Sequence, residues 1–147
     1  EVGHMIIQKD GIQCNCGNRG CFERYSSMKA LKNNLRNALG LDETTRGEEL
    51  FNIMRNNNPQ NKDYKKIENV LNEFITNLSI GITNLINMFE PEAIVIGGSF
   101  IHLTDVLLPR LKECLKNEVK PFNTREEYII KPAVLGNDAG IIGASLL

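Results

Sequence analysis

The feature that most limits how this chain can fold is a cluster of three cysteines, Cys14, Cys16 and Cys21, within eight residues. Two glycines inside the cluster allow the short loop to turn back on itself, so that all three sulfurs can face one point. His4 lies ten residues before the first cysteine. Structural zinc sites use four tetrahedral nitrogen and sulfur ligands, and one histidine with three cysteines is a standard set. Soft thiolates disfavour magnesium and calcium. The spacing therefore predicts a structural zinc site formed by His4 and the three cysteines.

Three alternatives to this site remain at the level of sequence. The cysteines could be reduced and unliganded, or Cys114 could be the fourth ligand in place of His4. Cys114 falls on the apolar face of a predicted helix, where a free cysteine commonly behaves as a small hydrophobic residue. The sequence Gly3-His4-Met5 also resembles the remnant of a cloning tag.

Composition excludes several classes of function. The chain has 147 residues, 41% of them hydrophobic and 24% charged, with a formal net charge of -1. These values are ordinary for one soluble globular domain or a large piece of one. No basic stripe offers a surface for nucleic acid, and no apolar run approaches the ~20 residues that span a bilayer. We expect a cytoplasmic protein with no nucleic-acid and no membrane partner.

Apolar residues at helical spacing predict three helices in the first two thirds of the chain. The first covers residues 27–39 and ends at Gly40, a typical stop signal. The second begins at a capping-box sequence, residues 45–48. The third covers residues 63–89, and its apolar face is broad in the second half, which we expect to be buried. Before them, residues 5–7 are predicted to form a short strand that leads into a loop.

Strands and helices alternate in the last third. The apolar run over residues 93–98 ends in paired glycines and is typical of a fully buried parallel strand. It is followed by a predicted helix beginning at 104 or 105, a short strand over 128–131 and a terminal helix over 139–147. This alternation predicts an α/β layer fold.

Two groups of motifs resemble one known family. The first group is Glu1-Val2-Gly3-His4 followed by Cys14-x-Cys16-Gly17-x-x-Gly20-Cys21-x-Glu23-x-Tyr25. The second is Glu90-Pro91-x-x-Ile94-Val95-Ile96-Gly97-Gly98 followed by Leu135-Gly136-Asn137-Asp138-Ala139-Gly140-Ile141-Ile142-Gly143-Ala144. In this order they resemble the ROK proteins, which are bacterial glucokinases, N-acetylmannosamine kinases and related sugar-responsive repressors. The resemblance covers the whole chain, and the cysteine loop is its most specific part.

The resemblance implies a fold and a sugar site. The fold is an actin-like ATPase (ribonuclease H-like) architecture, of which this chain would be part of the C-terminal lobe with a zinc-binding loop. The residues that match the family's zinc ligands are His4, Cys14, Cys16 and Cys21. Glu1, His4 and Glu23 match positions that hydrogen-bond sugar hydroxyls. A carboxylate can accept two such hydroxyls, which suits both glutamates to the role.

A nucleotide site is implied on the other side of the cleft. Gly97 and Gly98 match a turn beside the nucleotide, where backbone without a side chain permits close approach. Ser99 stands where many relatives have a third glycine. The segment 136–143 is expected near the adenosine. The implied partners are a hexose and ATP, with Mg²⁺ for the intact enzyme, and family members commonly form homodimers.

The organisation of the chain follows from the same resemblance. The chain begins with Glu1 rather than Met, and we expect a C-terminal lobe fragment that lacks its N-terminal lobe. Residues 1–25 would be the zinc and sugar segment, 26–90 a helical segment and 91–147 the nucleotide side. In the family the phosphate-binding loop and the catalytic aspartate precede the first motif. We therefore expect no catalytic residue in this chain and no activity from it alone.

Three functions compete on these residues. The leading hypothesis is an ATP-dependent hexose kinase, glucokinase-like, that phosphorylates the 6-hydroxyl of glucose or a related hexose. The alternative is the sugar-sensing effector domain of a ROK-type transcriptional repressor. The run over residues 135–140 resembles the kinases more closely and ranks them first. The third reading is a zinc-stabilised interaction module with no sugar role.

Overall fold

Four helices precede a strand-helix-strand unit. The computed structural model describes residues 1–122, 129–135, 142, 144 and 145. The helices are α1 (Glu23–Ser26), α2 (Met28–Leu39), α3 (Gly47–Arg55), α4 (Tyr64–Phe89) and α5 (Thr104–Asn117), and the strands are β1 (Ala93–Ile96) and β2 (Ile129–Pro132). Short 3-10 helices cover Val2–His4 and Gly98–Leu103.

The first predicted helix has the expected ends. The Ser27 hydroxyl accepts a hydrogen bond from the Ala30 N–H at 3.1 Å and so caps the N-terminus of α2. Gly40 follows the last turn at φ 64°, the left-handed conformation that glycine adopts without strain. Because both ends carry local stop signals, the prediction over residues 27–39 is confirmed.

The capping box predicted for the second helix is wrong. Helix α3 begins at Gly47, and the residue before it, Arg46, makes no side-chain cap. The preceding residues form a turn of their own, in which the Asp42 carboxylate accepts from the Thr44 N–H and hydroxyl. The Thr45 carbonyl accepts from the Arg36 guanidinium at 2.8 Å. These contacts shift the start of the helix past the expected cap.

Helix α4 is the central element of the core. No residue between Phe74 and Ile86 is exposed, which confirms the buried second half. The last turn differs, because Met88 and Phe89 are 67% and 66% exposed. The apolar side chains of that turn therefore lie at the surface.

The two strands pair in parallel, as expected, with Ala93 opposite Ile129 and Ile96 opposite Pro132. Full burial of β1 is wrong, because exposure alternates along it and Val95 is 63% exposed. Ile94 packs against the helical core, so one face of the sheet is covered. Among the described residues nothing covers the other face to the same extent.

Parts of two predictions fall outside the described residues. The strand predicted over 128–131 is observed at Ile129–Pro132, and residue 128 is not described. In the terminal helix predicted over 139–147, residues 142, 144 and 145 are helical and the others lie outside the described part. The segment 136–143, expected near the adenosine, is likewise outside it except for residue 142.

One apolar core joins α2, α3, α4, α5 and the sheet. Its fully enclosed members include Leu31, Leu35, Leu50, Ile67, Leu71, Ile86, Leu103, Leu107 and Leu111. At its edge, the Arg110 guanidinium binds both oxygens of the Glu68 carboxylate at 2.9 and 3.0 Å, which ties α5 to α4. Within the described ranges, no helix is long and apolar enough to cross a membrane.

Candidate metal centre and its surroundings

The first 22 residues form a folded-back loop rather than a strand. The expected strand over 5–7 is wrong, since a 3-10 helix precedes it and Ile6 makes only one isolated bridge, to Cys21. The loop closes through a hydrogen bond from the Ile7 N–H to the Gly20 carbonyl at 2.9 Å. At Gly20, φ is 79° and a Cβ would overlap the Gln8 carbonyl oxygen, so only glycine fits.

The loop brings His4, Cys14, Cys16 and Cys21 into one group whose ligand atoms all lie within 4.8 Å of one another. The Nδ1 atom of His4 is 3.6 Å from the Cys14 Sγ, and the Cys16 and Cys21 Sγ atoms are 3.5 Å apart. Tetrahedral zinc with ordinary bond lengths separates nitrogen from sulfur by about 3.6 Å and sulfur from sulfur by about 3.8 Å. A disulfide would need about 2.05 Å. The geometry fits four ligands around one cation.

The three sulfurs differ in exposure, and those of Cys16 and Cys21 differ in thiol pKa. Cys14 and Cys21 are 3% and 0% exposed, whereas Cys16 faces solvent. Burial, together with the neighbouring sulfurs of Cys16 and Cys14, raises the pKa of the Cys21 thiol to about 12. The pKa of the Cys16 thiol is lowered, chiefly by hydrogen bonding to the Asn18 backbone. A bound divalent cation offsets the repulsion among three thiolates and displaces their protons.

The alternatives to His4 are not supported by this arrangement. Cys114 lies in the main apolar core, 4% exposed, and its thiol is 3.9 Å from the Glu118 carboxylate. It is not a member of the four-residue group. His4, by contrast, has its ring nitrogen against a buried sulfur, a position that a tag remnant has no reason to occupy.

Both predicted sugar-contact glutamates lie beside the group. The Glu1 Oε2 atom is 3.7 Å from the His4 Nε2, on the side of the ring opposite the cysteines. The Glu23 Oε1 atom is 3.5 Å from the Cys14 Sγ. Glu23 is the first residue of α1, two residues after Cys21. The structure thus brings Glu1, His4 and Glu23 together around one cluster.

Residues that the sequence reasoning gave no role hold the loop in place. The Gln13 side-chain amide donates to the carbonyls of Cys14, Gly17 and Asn18 at 3.2, 3.2 and 3.3 Å, and so braces the turn that carries two sulfurs. The Tyr25 hydroxyl accepts from the Ile12 N–H at 2.7 Å. Tyr25 could have been noticed from the sequence because it belongs to the motif that carries the family resemblance. Nothing in the sequence pattern pointed to Gln13.

The loop docks on α4 through one aromatic ring. A Cβ at Gly81 would overlap the Phe22 ring, so this ring lies directly against the helix backbone. The Asn84 side chain is 3.7 Å from the Met5 sulfur on the same side of α4. A glycine inside a helical pattern indicates a close approach of this kind, and Gly81 was the available signal.

The two glycines after β1 lie apart from the cysteine loop in sequence and are exposed. Gly98 has φ 64°, and among the described residues no side chain or backbone outside its chain neighbours lies within 4 Å of the position its Cβ would take. The Gly97 Cβ position is 3.6 Å from the Ala133 Cβ, an ordinary contact. Within the part of the chain that the structure describes, this turn therefore has exposed backbone with no side chain of its own.

Solved structures place this architecture in a known class. The ROK family glucokinase of Streptomyces griseus superposes with a TM-score of 0.78 at 24% identity, over 98% of this chain and 49% of that one. The fold is the C-terminal part of an actin-like ATPase of the sugar-kinase type. The chain belongs to the ROK family, whose family model matches residues 1–147.

Relatives of both functional kinds are similar over nearly the whole chain. The xylose repressor of Bacillus spizizenii is 32% identical over 99% of this chain and 35% of its own length. The glucokinase of Thermotoga maritima is 28% identical over 99% of this chain and 47% of its own length. The chain thus spans half or less of these relatives. One of these relatives is a repressor. The expectation of no nucleic-acid partner, which rested on the absence of a basic stripe in these residues, is therefore not established for a whole protein.

Proposed function

We propose that this chain is the sugar-contacting C-terminal part of an ATP-dependent hexose kinase that phosphorylates the 6-hydroxyl of glucose or a related hexose. The observation that supports it is the grouping of Glu1, His4 and Glu23 around one metal-ligand cluster. Three polar side chains that converge from two segments, Glu1 and His4 from the first turn and Glu23 from α1, suit a ligand with several adjacent hydroxyls.

Zinc is the cation that we propose for the cluster. One imidazole and three thiolates form a soft donor set, and all four tetrahedral positions are filled by protein. A closed site has no position for substrate, so the cation has a structural role. When bound, it fixes the loop from which His4 and Glu23 reach the sugar.

The histidine ring has a defined orientation in this proposal. Its Nδ1 faces the sulfurs and its Nε2 faces Glu1. An imidazole that binds a metal through Nδ1 carries its proton on Nε2, which then donates to a sugar hydroxyl. A Cys14 thiolate has no proton to donate to Glu23, so both oxygens of that carboxylate are available to the sugar.

The exposed Gly97-Gly98 turn is the part of this chain that we propose for the nucleotide. Its bare backbone allows a phosphate or ribose to approach without a clash. Phosphoryl transfer also needs a base and Mg²⁺, and we propose that residues outside this chain supply them. The same proposal includes three further points. The chain divides into segments 1–25, 26–90 and 91–147, its activity depends on an N-terminal lobe, and the protein is a homodimer.

The second candidate is the sugar-sensing effector domain of a transcriptional repressor. It is favoured by the 32% identity to a xylose repressor over 99% of the chain. In this candidate the same residues contact the sugar, and the protein does not turn over ATP. The whole protein would bind nucleic acid.

One experiment separates these functions. The protein that contains this chain with its preceding residues is assayed for hexose-dependent ADP formation and for hexose binding by calorimetry. Glu23→Gln is expected to raise the KM or Kd for hexose by roughly tenfold or more, because a charge-assisted hydrogen bond is lost. Glu43→Gln, at an exposed site remote in sequence, is the control. Calorimetry with xylose completes the test: binding of a hexose or of xylose without ADP formation favours the repressor, and binding of neither sugar contradicts both functions.

A further inference from the structure

Three side-chain contacts close the loop between residues 12 and 25, one inside another. The innermost joins the sulfurs of Cys16 and Cys21 at 3.5 Å. The next joins Cys14 to the Glu23 carboxylate at 3.5 Å. The outermost is the hydrogen bond from the Ile12 N–H to the Tyr25 hydroxyl at 2.7 Å. Together they hold the outgoing and returning arms of the loop side by side.

The outermost contact differs from the other two in what it depends on. Each inner contact includes a cysteine of the metal cluster and changes when that cysteine binds a cation. Neither Ile12 nor Tyr25 is a member of the cluster. The bond between them therefore uses no atom that the cation would bind.

The surroundings of the Tyr25 hydroxyl leave it little freedom. A Cβ at Gly11 would overlap this oxygen, so the hydroxyl lies directly against the Gly11 backbone. Tyr25 itself is half-buried and follows Glu23 by two residues within the single turn of α1. A helix this short has no stability of its own, and its direction depends on such anchors.

We propose that Tyr25 is a positioning residue for sugar binding, whose hydroxyl clasps the Gly11–Ile12 backbone to α1 and thereby holds Glu23 in front of the cluster. This inference rests on the proposed function, in which Glu23 contacts the sugar. Tyr25 does not touch the sugar and acts through the Glu23 carboxylate.

The test uses the zinc-loaded protein with its preceding residues, and glucose as the probe. Tyr25→Phe removes only the hydroxyl. It is expected to raise the glucose Kd by about threefold to tenfold, the range of one neutral hydrogen bond, at unchanged zinc content. Hydrogen exchange of the Ile12 amide is expected to accelerate. Gly11→Ala displaces the same hydroxyl from the other side and is expected to act in the same direction.

A double-mutant cycle decides whether Tyr25 acts through Glu23. In the Glu23→Gln background, adding Tyr25→Phe is expected to raise the Kd by less than about twofold, because the carboxylate that it orients is gone. If the protein turns over ATP, the KM for glucose rises while the KM for ATP does not. Tyr64→Phe, which removes a hydroxyl at the start of α4, is the matched control and leaves both unchanged.

The possible outcomes distinguish failure of the positioning role of Tyr25 from failure of the proposed function. If the wild type binds glucose but Tyr25→Phe binds it equally well, or if the two substitutions are fully additive, the positioning role is refuted. If the wild type binds neither glucose nor the other hexoses tested, the proposed function fails and the sugar role of Tyr25 fails with it. Exchange of the Ile12 amide then still reports whether the clasp itself exists.

Discussion

The environments of Cys16 and Cys114 differ although the side chains are identical. Cys16 is exposed, within 3.5 Å of a second sulfur, and its thiol pKa is lowered, mainly by the Asn18 backbone. Cys114 is buried among the leucines of α5 and the core. The first environment suits a metal ligand, and the second suits a thiol that packs as a small apolar side chain.

These two cysteines give a matched prediction for metal content. Cys16→Ser is expected to lower bound zinc to well below one equivalent per chain, since a hydroxyl is a poor ligand for this soft site. Cys114→Ser is expected to keep its zinc. Its free energy of unfolding is expected to fall by about 1 kcal/mol, and its unfolding temperature with it, because the substitution buries a hydroxyl. Elemental analysis and thermal unfolding of both variants measure the two effects. Equal zinc in Cys16→Ser and wild type would contradict the cluster.

At the scale of elements, the metal loop and helix α5 both pack against helix α4. Phe22 of the loop lies on Gly81 near its middle, and the Thr83 hydroxyl donates to the Val119 carbonyl beyond α5 at 3.0 Å. Arg110 of α5 pairs with Glu68 one and a half turns into the same helix. The loop can therefore pack closely on α4 because this helix has a glycine at the contact.

Gly81→Ala tests this contact. In an exposed helix, alanine would add roughly 1 kcal/mol of stability relative to glycine. Here its Cβ overlaps the Phe22 ring, and we expect a net loss of about 1–3 kcal/mol in the free energy of unfolding. The control is Gly47→Ala at the start of α3, where the nearest side-chain atoms lie 3.7 Å away. Urea denaturation that shows both variants equally stabilised would contradict the docking of Phe22 on α4.

The Glu68–Arg110 pair gives a pH-dependent prediction. The Arg110 guanidinium and the Asn57 amide lower the pKa of Glu68 below its usual value of 4.5, although partial burial opposes them. A carboxyl whose folded pKa is depressed stabilises the fold above its unfolded pKa and loses that contribution as the pH falls through the folded pKa. Stability is therefore expected to decline as the solution is acidified below about pH 4.5.

Glu68→Gln is expected to lower the free energy of unfolding at pH 7 by about 1 kcal/mol and to flatten this acid-side decline. Asp105→Asn, which breaks the more exposed pair with Arg55, is the comparison and is expected to have a smaller effect on stability. Urea titrations at pH 7 and at pH 4 measure both quantities. A pH dependence that is identical in Glu68→Gln and wild type would contradict the assignment.

At the scale of the whole molecule, the sheet has one covered face and one exposed face. Ile94 and Ile96 pack on the helices, whereas Val95 and Ile129 point away from them and are 63% and 49% exposed. Exposed apolar side chains of this kind are typical of surfaces that meet other protein. The chain spans half or less of its curated relatives, which agrees with a surface that other residues would cover.

Two adjacent residues of β1, Ile94 and Val95, test whether only one face of the sheet is covered. Ile94→Thr is expected to destabilise the chain by about 1–3 kcal/mol, because it removes a packed side chain and places a hydroxyl against the core. Val95→Thr is expected to change stability by less than about 0.5 kcal/mol, since the side chain is exposed and threonine suits a strand. Urea denaturation of the two variants measures the difference. Equal losses would mean that both faces of the strand are covered.

The candidate site was the part most open to prediction from sequence, for a local physical reason. The three cysteines lie within eight residues and can meet only through tight turns, so their spacing alone limits the geometry. The helix over residues 27–39 was predictable in the same way, because Ser27 and Gly40 act on their immediate neighbours. Membership in the ROK family agrees with the motifs that carried the resemblance.

What only the tertiary structure decided depends on contacts between distant residues. The exposure of Val95 could not be read from an apolar run, because burial depends on which elements pack on each face of the sheet. The capping box failed because Asp42 and Arg36 bind the preceding turn. Likewise, no local pattern could show that Tyr25 meets Ile12, and Gly81 within a helical pattern could indicate a close approach but not that Phe22 makes it. The sequence determined which groups could hold a cation, and long-range packing decided how the loop that carries them is held.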